Sequence, residues 1–280
     1  MLHKSILSSS NDKSLVKIHK VIARRGIVSN RKAEEYIQQG RVKIEGRTAQ
    51  IGELVRDDII ITIDGKEYSK DFKVSDITYI MNKKIGDECS RKTFKNIHPS
   101  IFSRFSSNLS EFNSLKCVGR LDVLTSGLLI ITTNSQLIQE IIHPSSNLLK
   151  TYVVGLDRKL DDKHKNELLS KGVVIEHSVS KPFSIISLDY SKFTPKRKEQ
   201  IGLNQFNQTL FWYEVKVSEG KKHIIRKFFE YFRYRVKVLH RTKIGGLDLE
   251  QFNLKQGLYE KIDEEKLLSL IFNKKANKKR

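Results

Sequence analysis

Apolar positions recur along the chain in two rhythms, one helical and one alternating, and the switches between them outline the elements. Leu15, Ile18 and Ile22 repeat at helical spacing, and Gly26 follows as a C-terminal stop. Ser29 is placed to cap a second helix in which Ala33 and Ile37 share a face and Gly40 ends the run. Val42 and Ile44 alternate with charged residues as in a half-buried strand, and Glu45-Gly46 makes a turn. A further strand over 59–63 leads into Asp64-Gly65, a hairpin-type dipeptide. Residues 15–63 therefore predict two short helices and a small antiparallel sheet.

The polar, charged stretch 64–76 reads as a linker to a larger domain over 77–272. That domain begins with a strand at 79–84. Residues 90–116 are rich in Ser, Asn, Lys and Phe without periodicity and predict an irregular excursion, the kind of long loop that is usually functional. Residues 128–131, Leu-Leu-Ile-Ile, are apolar without interruption and predict a strand buried on both faces. Ser135 is placed to cap a helix whose apolar face is Leu137, Ile138, Ile141 and Ile142, ended by His143-Pro144-Ser145. Strands follow at 150–155, 173–175, 212–217 and 235–239, with a helix at 161–171 stopped by Gly172. Residues 190–209, carrying Lys192, Lys196, Arg197 and Lys198, read as a loop or hairpin insertion. Ser218 is placed to cap a helix with Ile225, Phe228, Phe229 and Phe232 on its buried face. Lys221, Lys222, Arg226 and Lys227 would then lie in its first turns, against the preference of a helix N-terminus for anions, which points to an anionic partner. A last helix spans 264–272. Residues 1–14 and 273–280 read as tails.

Composition sharpens the partner. The chain has 280 residues, with 52 Lys and Arg against 32 Asp and Glu, a net charge of +20. A surplus of that size attracts polyanions, with nucleic acid ahead of an anionic membrane surface. The two cysteines, Cys89 and Cys117, have no paired spacing, which argues against a disulfide framework or a zinc site and for a reducing cytoplasm. No apolar run approaches the ~20 residues a spanning helix needs. The Ser-, Asn- and Lys-rich start does not read as a secretory signal.

The candidate chemistry sits at Gly119-Arg-Leu-Asp-Val-Leu-Thr-Ser-Gly-Leu-Leu129. Asp122 occupies the turn that feeds the apolar strand, where a scaffold can hold a catalytic acid. From the residues alone it reads first as an aspartate that caps a turn.

Two resemblances bear on that choice. The order Ala23-Arg-Arg-Gly-Ile-Val-Ser-Asn-Arg-Lys-Ala33, then Gly40-Arg-Val-Lys-Ile-Glu-Gly46, resembles the small RNA-binding domain first seen in ribosomal protein S-four. Its helical part displays Lys17, Lys20, Arg24, Arg25, Arg31, Lys32 and Arg41, basic side chains that can straddle phosphates. The larger domain resembles the pseudouridine synthases of ribosomal RNA in three segments: 119–129, Lys150-Thr-Tyr152, and Glu219-Gly-Lys-Lys-His-Ile-Ile-Arg-Lys-Phe-Phe229. It departs from that family's pattern at Lys84, Ser135-Gln136 and Ile224.

The resemblance implies an α+β protein, an RNA-binding domain joined to a catalytic domain with a mixed, mainly antiparallel sheet. It implies Asp122 as nucleophile, Arg226 as its paired cation, Tyr152 as a stacking platform for uracil, and RNA contacts from Arg120, Lys150, Lys221, Lys222 and Lys227. It also implies ribosomal RNA or a pre-ribosomal particle as partner, no cofactor or metal, and action as a monomer. Details around 118–123 and Trp212-Tyr213 favour the large-subunit branch. The alternatives are a small-subunit enzyme, a non-catalytic RNA-binding assembly factor and a basic membrane-surface protein.

Overall fold

The computed structural model describes residues 15–72, 75–91, 97–106, 112–203, 207 and 209–273. The expected tail at 1–14, all but the first residue of that at 273–280, and parts of the 64–76, 90–116 and 190–209 stretches lie outside the described residues. The chain divides into two compact units between Ser75 and Asp76.

The first unit runs β1 (Val16–Lys17), α1 (Ile18–Arg24), α2 (Asn30–Gln38), β2 (Val42–Ile44), β3 (Arg47–Thr48), β4 (Leu54–Val55), β5 (Ile61–Ile63) and β6 (Lys66–Tyr68). Strands β3-β2-β5-β6 form one antiparallel sheet, and β1 pairs with β4. Ile18, Val21 and Ile22 of α1 pack with Ala33 and Ile37 of α2 over Val42, Ile44 and Ile61. Each such burial contributes about 1.5–3 kcal/mol. The Ser29 hydroxyl accepts from the Lys32 amide, as its position predicts. Glu45-Gly46 and Asp64-Gly65 both take positive φ at each residue, the backbone that two-residue hairpin turns require. Two expectations change. Leu15 is 58% exposed and precedes α1 rather than joining its face. β6 pairs with β5 inside the stretch read as linker, because the Asp64-Gly65 turn sends the chain straight back along β5.

The second unit is an α+β domain on one mixed sheet of nine strands. Its strands are β7 (Thr78–Lys83), β8 (Lys116–Cys117), β9 (Ser126–Thr132), β10 (Lys150–Leu156), β13 (Ser184–Leu188), β14 (Phe211–Val217), β15 (Val236–Ile244), β16 (Leu247–Asp248) and β17 (Tyr259–Ile262). The order is β13-β14-β10-β15-β9-β7-β17, with β16 beside β15 and β8 beside β9. Among these pairs only β9 with β15 is parallel. A separate hairpin joins β11 (Val173–Ile175) to β12 (Ser178–Ser180).

The helices are α3 (Ser135–Ile142), α4 (Asp162–Ser170), α5 (Pro195–Ile201), α6 (Ile224–Tyr231) and α7 (Glu264–Phe272). Strand β9 is buried throughout, and its alternating side chains explain why. Leu128 and Ile130 pack with Leu137 and Ile141 of α3 and Leu267 and Ile271 of α7. Leu129 and Ile131 face the opposite way, toward Tyr79, Met81, Phe102 and Phe105. A fully apolar strand is what burial on both faces demands.

Local readings shift in three places. Asn134, not Ser135, caps α3, its side chain accepting from the Gln136 and Leu137 amides, and Ile142 is exposed. The stretch read as a loop over 190–209 contains α5, with Thr194 as its cap and Pro195 in its first turn. Helix α6 starts at Ile224 with His223 at its N-cap rather than Ser218, so Lys221 and Lys222 lie in the loop ahead of it. Arg226 and Lys227 remain in its first turn.

The β9–β15 junction is tight. Gly127 has φ +109, and a Cβ built there would lie 2.3 Å from the Arg241 carbonyl oxygen. Backbone cannot yield as a side chain end can. Gly127→Ala is expected to destabilise the domain by about 2–4 kcal/mol, from clash and disfavoured φ together. Thermal denaturation measures this, and an unchanged midpoint would show that the junction tolerates a side chain.

Candidate active site and basic surface

The loop that carries Asp122 runs from Gly119, at φ 71, to Thr125, whose amide donates to the Asp122 carbonyl at 3.0 Å. It is held mainly through its backbone. Lys83, the last residue of β7, is fully buried. Its Nζ donates to the carbonyls of Thr125 at 2.8 Å, Lys84 at 3.1 Å and Asp122 at 3.2 Å, with Val123 at 3.5 Å. Burial pushes this ammonium down from its ordinary pKa, opposed by the nearby Cys89, Asp87 and Asp122 charges. The Gly86 amide donates to the Val123 carbonyl, and the Leu121 amide donates to the Cys89 sulfur. Cys117 donates to the same sulfur, which with Leu121 draws the Cys89 thiol below its usual range and pushes Cys117 up.

Arg226 approaches from α6. It donates to the carbonyls of Leu124 at 2.6 Å and Val236 at 2.9 Å. Burial pushes its guanidinium down while the Asp122 charge raises it. Arg226 thus feels the carboxylate but makes no ion pair with it; its hydrogen bonds clamp the loop backbone. That corrects the expectation of a direct Asp122–Arg226 pair: Leu124 and Val236 carbonyls have already taken the guanidinium. The side chain that meets Asp122 is His223, whose Nε2 lies 3.3 Å from Oδ1. Both groups are partly exposed, 45% for His223 and 34% for Asp122. His223 was missed in the sequence because its approach depends on a left-handed backbone, φ 56 and ψ 23, that no local pattern announces.

Tyr152, half-buried on β10, pairs in register with Val215 on β14 and Arg241 on β15. It packs against the cluster containing Leu121 and also against that containing Ile225. The residues flanking Asp122 and those of α6 therefore meet at this ring. Arg241 is buried, with Nε on the Leu128 carbonyl and Nη2 without a partner. The family departures leave the frame intact. The Lys84 carbonyl receives Lys83 and the Asp87 amide, and Ile224 is buried at the start of α6.

The basic residues sort by what they hold. Arg120 and Lys222 are exposed, and Lys227 is half-buried. Lys150 donates to the Ser218 carbonyl, and burial pushes its ammonium down. Lys221 bridges Ser178, Ser180 and Glu219. In the first unit Arg24 pairs with Asp57, Lys32 with Glu35, and Arg41 with both Asp64 oxygens while lying over the Tyr36 ring. Arg31, Lys17 and Lys20 are exposed. Arg25 contradicts its expected role on the RNA surface. It is 5% exposed and donates to the carbonyls of Asp57, Ile59 and Ser69, because the turn after α1 points it inward. Lys196 and Arg197 of α5 are engaged by Glu250.

Comparison with known proteins matches this frame. Residues 77–231 match the family model described as RNA pseudouridylate synthase, and residues 16–58 match the S4 domain. The chain is 30% identical over 251 residues to ribosomal large subunit pseudouridine synthase B of Yersinia pestis, covering 88% of this chain and 72% of that one. It is also 30% identical over 265 residues to an uncharacterized RNA pseudouridine synthase of Aquifex aeolicus, covering 91% and 94% respectively. A solved pseudouridylate synthase superposes with a TM-score of 0.60 at 24% identity over 91% of this chain and 99% of that one, a likeness of fold.

The two neighbouring arginines of the first unit give opposite expectations. Arg25→Ala strands the Asp57 and Ile59 carbonyls, while Ser69 keeps the Phe72 amide, and should destabilise that unit by about 2–3 kcal/mol. Arg31→Ala should leave the melting midpoint unchanged and reduce the slope of log K for RNA against log salt by about one. Melting curves and binding titrations at several salt concentrations check both.

Proposed function

The chain belongs to the RNA pseudouridylate synthase family, and from that premise we propose that it isomerises a uridine of large-subunit ribosomal RNA with Asp122 as the nucleophile. The observation that carries the reading is the Asp122 loop itself. Its carbonyls are tied to Lys83 and Arg226, while its carboxylate stays partly exposed beside His223. A carboxylate fixed by its backbone and free at its oxygens suits covalent catalysis.

The reaction breaks the bond from uracil N1 to the ribose and makes one from C5. N1 gains a proton and C5 loses one, so no electrons leave the substrate. Asp122 forms the transient covalent link while uracil turns. The Arg226 and Lys83 charges lie near it. Tyr152, between the two clusters, offers a face for the turning ring, and base extrusion costs a few kcal/mol, least in a loop or bulge. The exposed Arg120 and Lys222 contact the RNA backbone. The S4 domain supplies further phosphate contacts, among them Arg31, and these set register more than sequence. The large-subunit assignment follows the Yersinia pestis relative, a ribosomal large subunit pseudouridine synthase B. The protein is expected to act as a cytoplasmic monomer on ribosomal RNA or a pre-ribosomal particle.

Ribosomal RNA from a strain lacking the protein provides the substrate for the test. Incubation with the wild-type protein should create a pseudouridine at one or a few large-subunit positions, mapped chemically. Asp122→Asn should create none, and Tyr152→Ala should be slower by at least about a hundredfold. Equal modification by Asp122→Asn would remove that residue from the mechanism. Modification confined to the small-subunit RNA would correct the substrate.

A further inference from the structure

Two cations and an imidazole lie around Asp122, and both cations are already committed. Lys83 and Arg226 spend their hydrogen bonds on backbone carbonyls. Only His223 presents a nitrogen to the carboxylate, at 3.3 Å from Oδ1. Its backbone is arranged for that contact. An N-cap residue ordinarily takes an extended backbone and turns its side chain onto the helix amides. His223 instead sits at φ 56 and ψ 23, and its side chain makes no cap hydrogen bond. A left-handed backbone is disfavoured at a non-glycine residue. The position therefore gives up both an ordinary conformation and a cap, and it gains proximity to Asp122. An exposed ion pair alone contributes little stability, so the arrangement is better accounted for by its effect on the carboxylate.

We propose that His223 is a positioning residue for Asp122, holding Oδ1 through Nε2–H so that Oδ2 faces the uridine, with the neutral imidazole as the productive form. This rests on the reading of Asp122 as nucleophile. A neutral imidazole protonated on Nε2 still donates to Oδ1 and fixes the side-chain torsions. An imidazolium donates too, but its full charge pairs the carboxylate and makes it a poorer nucleophile. Imidazole is the side chain whose ordinary titration falls between about pH 5 and 8, which sets the range of the test.

One other group near the contact can change its charge over that range, the Cys89 thiol, drawn down to about 7 by Cys117 and the Leu121 amide, and it is unaltered in His223→Gln. Arg226 and Lys227 lie on the same helix, Lys221 and Lys222 precede it with Lys221 paired to Glu219, and Lys83 and Arg120 belong to the Asp122 side.

The test is a single-turnover measurement with excess protein on a large-subunit RNA fragment containing the modified uridine, across about pH 5.5–8. The wild-type rate should rise with pH through the imidazole range. His223→Gln, which keeps a donor but does not titrate, should hold a rate near wild type and lose that rise. His223→Ala should slow the step about tenfold to a hundredfold while RNA affinity changes little. Wild-type rates and pH profile in both variants, or a loss confined to affinity, would overturn the proposal.

A second readout needs no substrate. In the free protein, the carbon NMR shift of the Asp122 carboxyl should follow the His223 titration and cease to do so in His223→Gln. A carboxyl shift indifferent to His223 would also overturn the proposal. If the wild-type protein forms no pseudouridine, the reading of its activity fails, and the carboxyl shift still decides whether His223 governs Asp122.

Discussion

A single buried ammonium sets the geometry on which the rest of the catalytic unit depends. Lys83 has no exposed surface and ends the strand β7, yet its Nζ reaches the carbonyls of four residues around the Asp122 turn. Burying an ammonium costs several kcal/mol unless its protons are met. Here they are met by four backbone oxygens, of which those of Lys84, Asp122 and Val123 also accept a backbone amide. The ammonium and these amides converge on the same turn, and the result is a loop whose shape is fixed from below.

The same logic extends sideways. Arg226, from the first turn of α6, takes the Leu124 carbonyl, so the loop is tied to a helix more than a hundred residues later in the chain. With both strong cations committed to the backbone, the carboxylate keeps its own oxygens available. Tyr152 and the tight crossing of Gly127 with Arg241 complete the frame, since the parallel register of β9 on β15 places the loop at the end of β9 nearest α6. His223, one of eight described non-glycine residues at positive φ, is the one that meets Asp122, where the chain enters α6 in a left-handed conformation. Strain of this kind persists where surrounding structure over-determines it and clusters at functional sites.

Much of this was legible in the sequence, because much of it is local. Glu45-Gly46 and Asp64-Gly65 announce turns through dipeptides that tolerate positive φ, and both are found there. The apolar run of β9 states its two-sided burial directly. Asp122, Tyr152 and Arg226 carry the family resemblance, and the proposed chemistry rests on them. What stayed hidden depends on distant partners. Arg25 looks like a surface cation beside Arg24, yet the fold turns it onto three carbonyls. α5 is masked by its charge, although Thr194 and Pro195 are a sound start signal. The true beginning of α6, and with it the role open to His223, depends on a backbone conformation that a histidine does not advertise.

The central claim is that buried cations hold the Asp122 loop by its backbone and thereby present the carboxylate. Amide hydrogen exchange in wild-type protein and in Lys83→Met tests it most directly. The account predicts faster exchange, by about a hundredfold or more, at amides held in or around the loop such as Gly86 and Thr125, with the amides of β10 and β14 keeping their protection. Unchanged exchange at those loop amides in a folded Lys83→Met protein would contradict it.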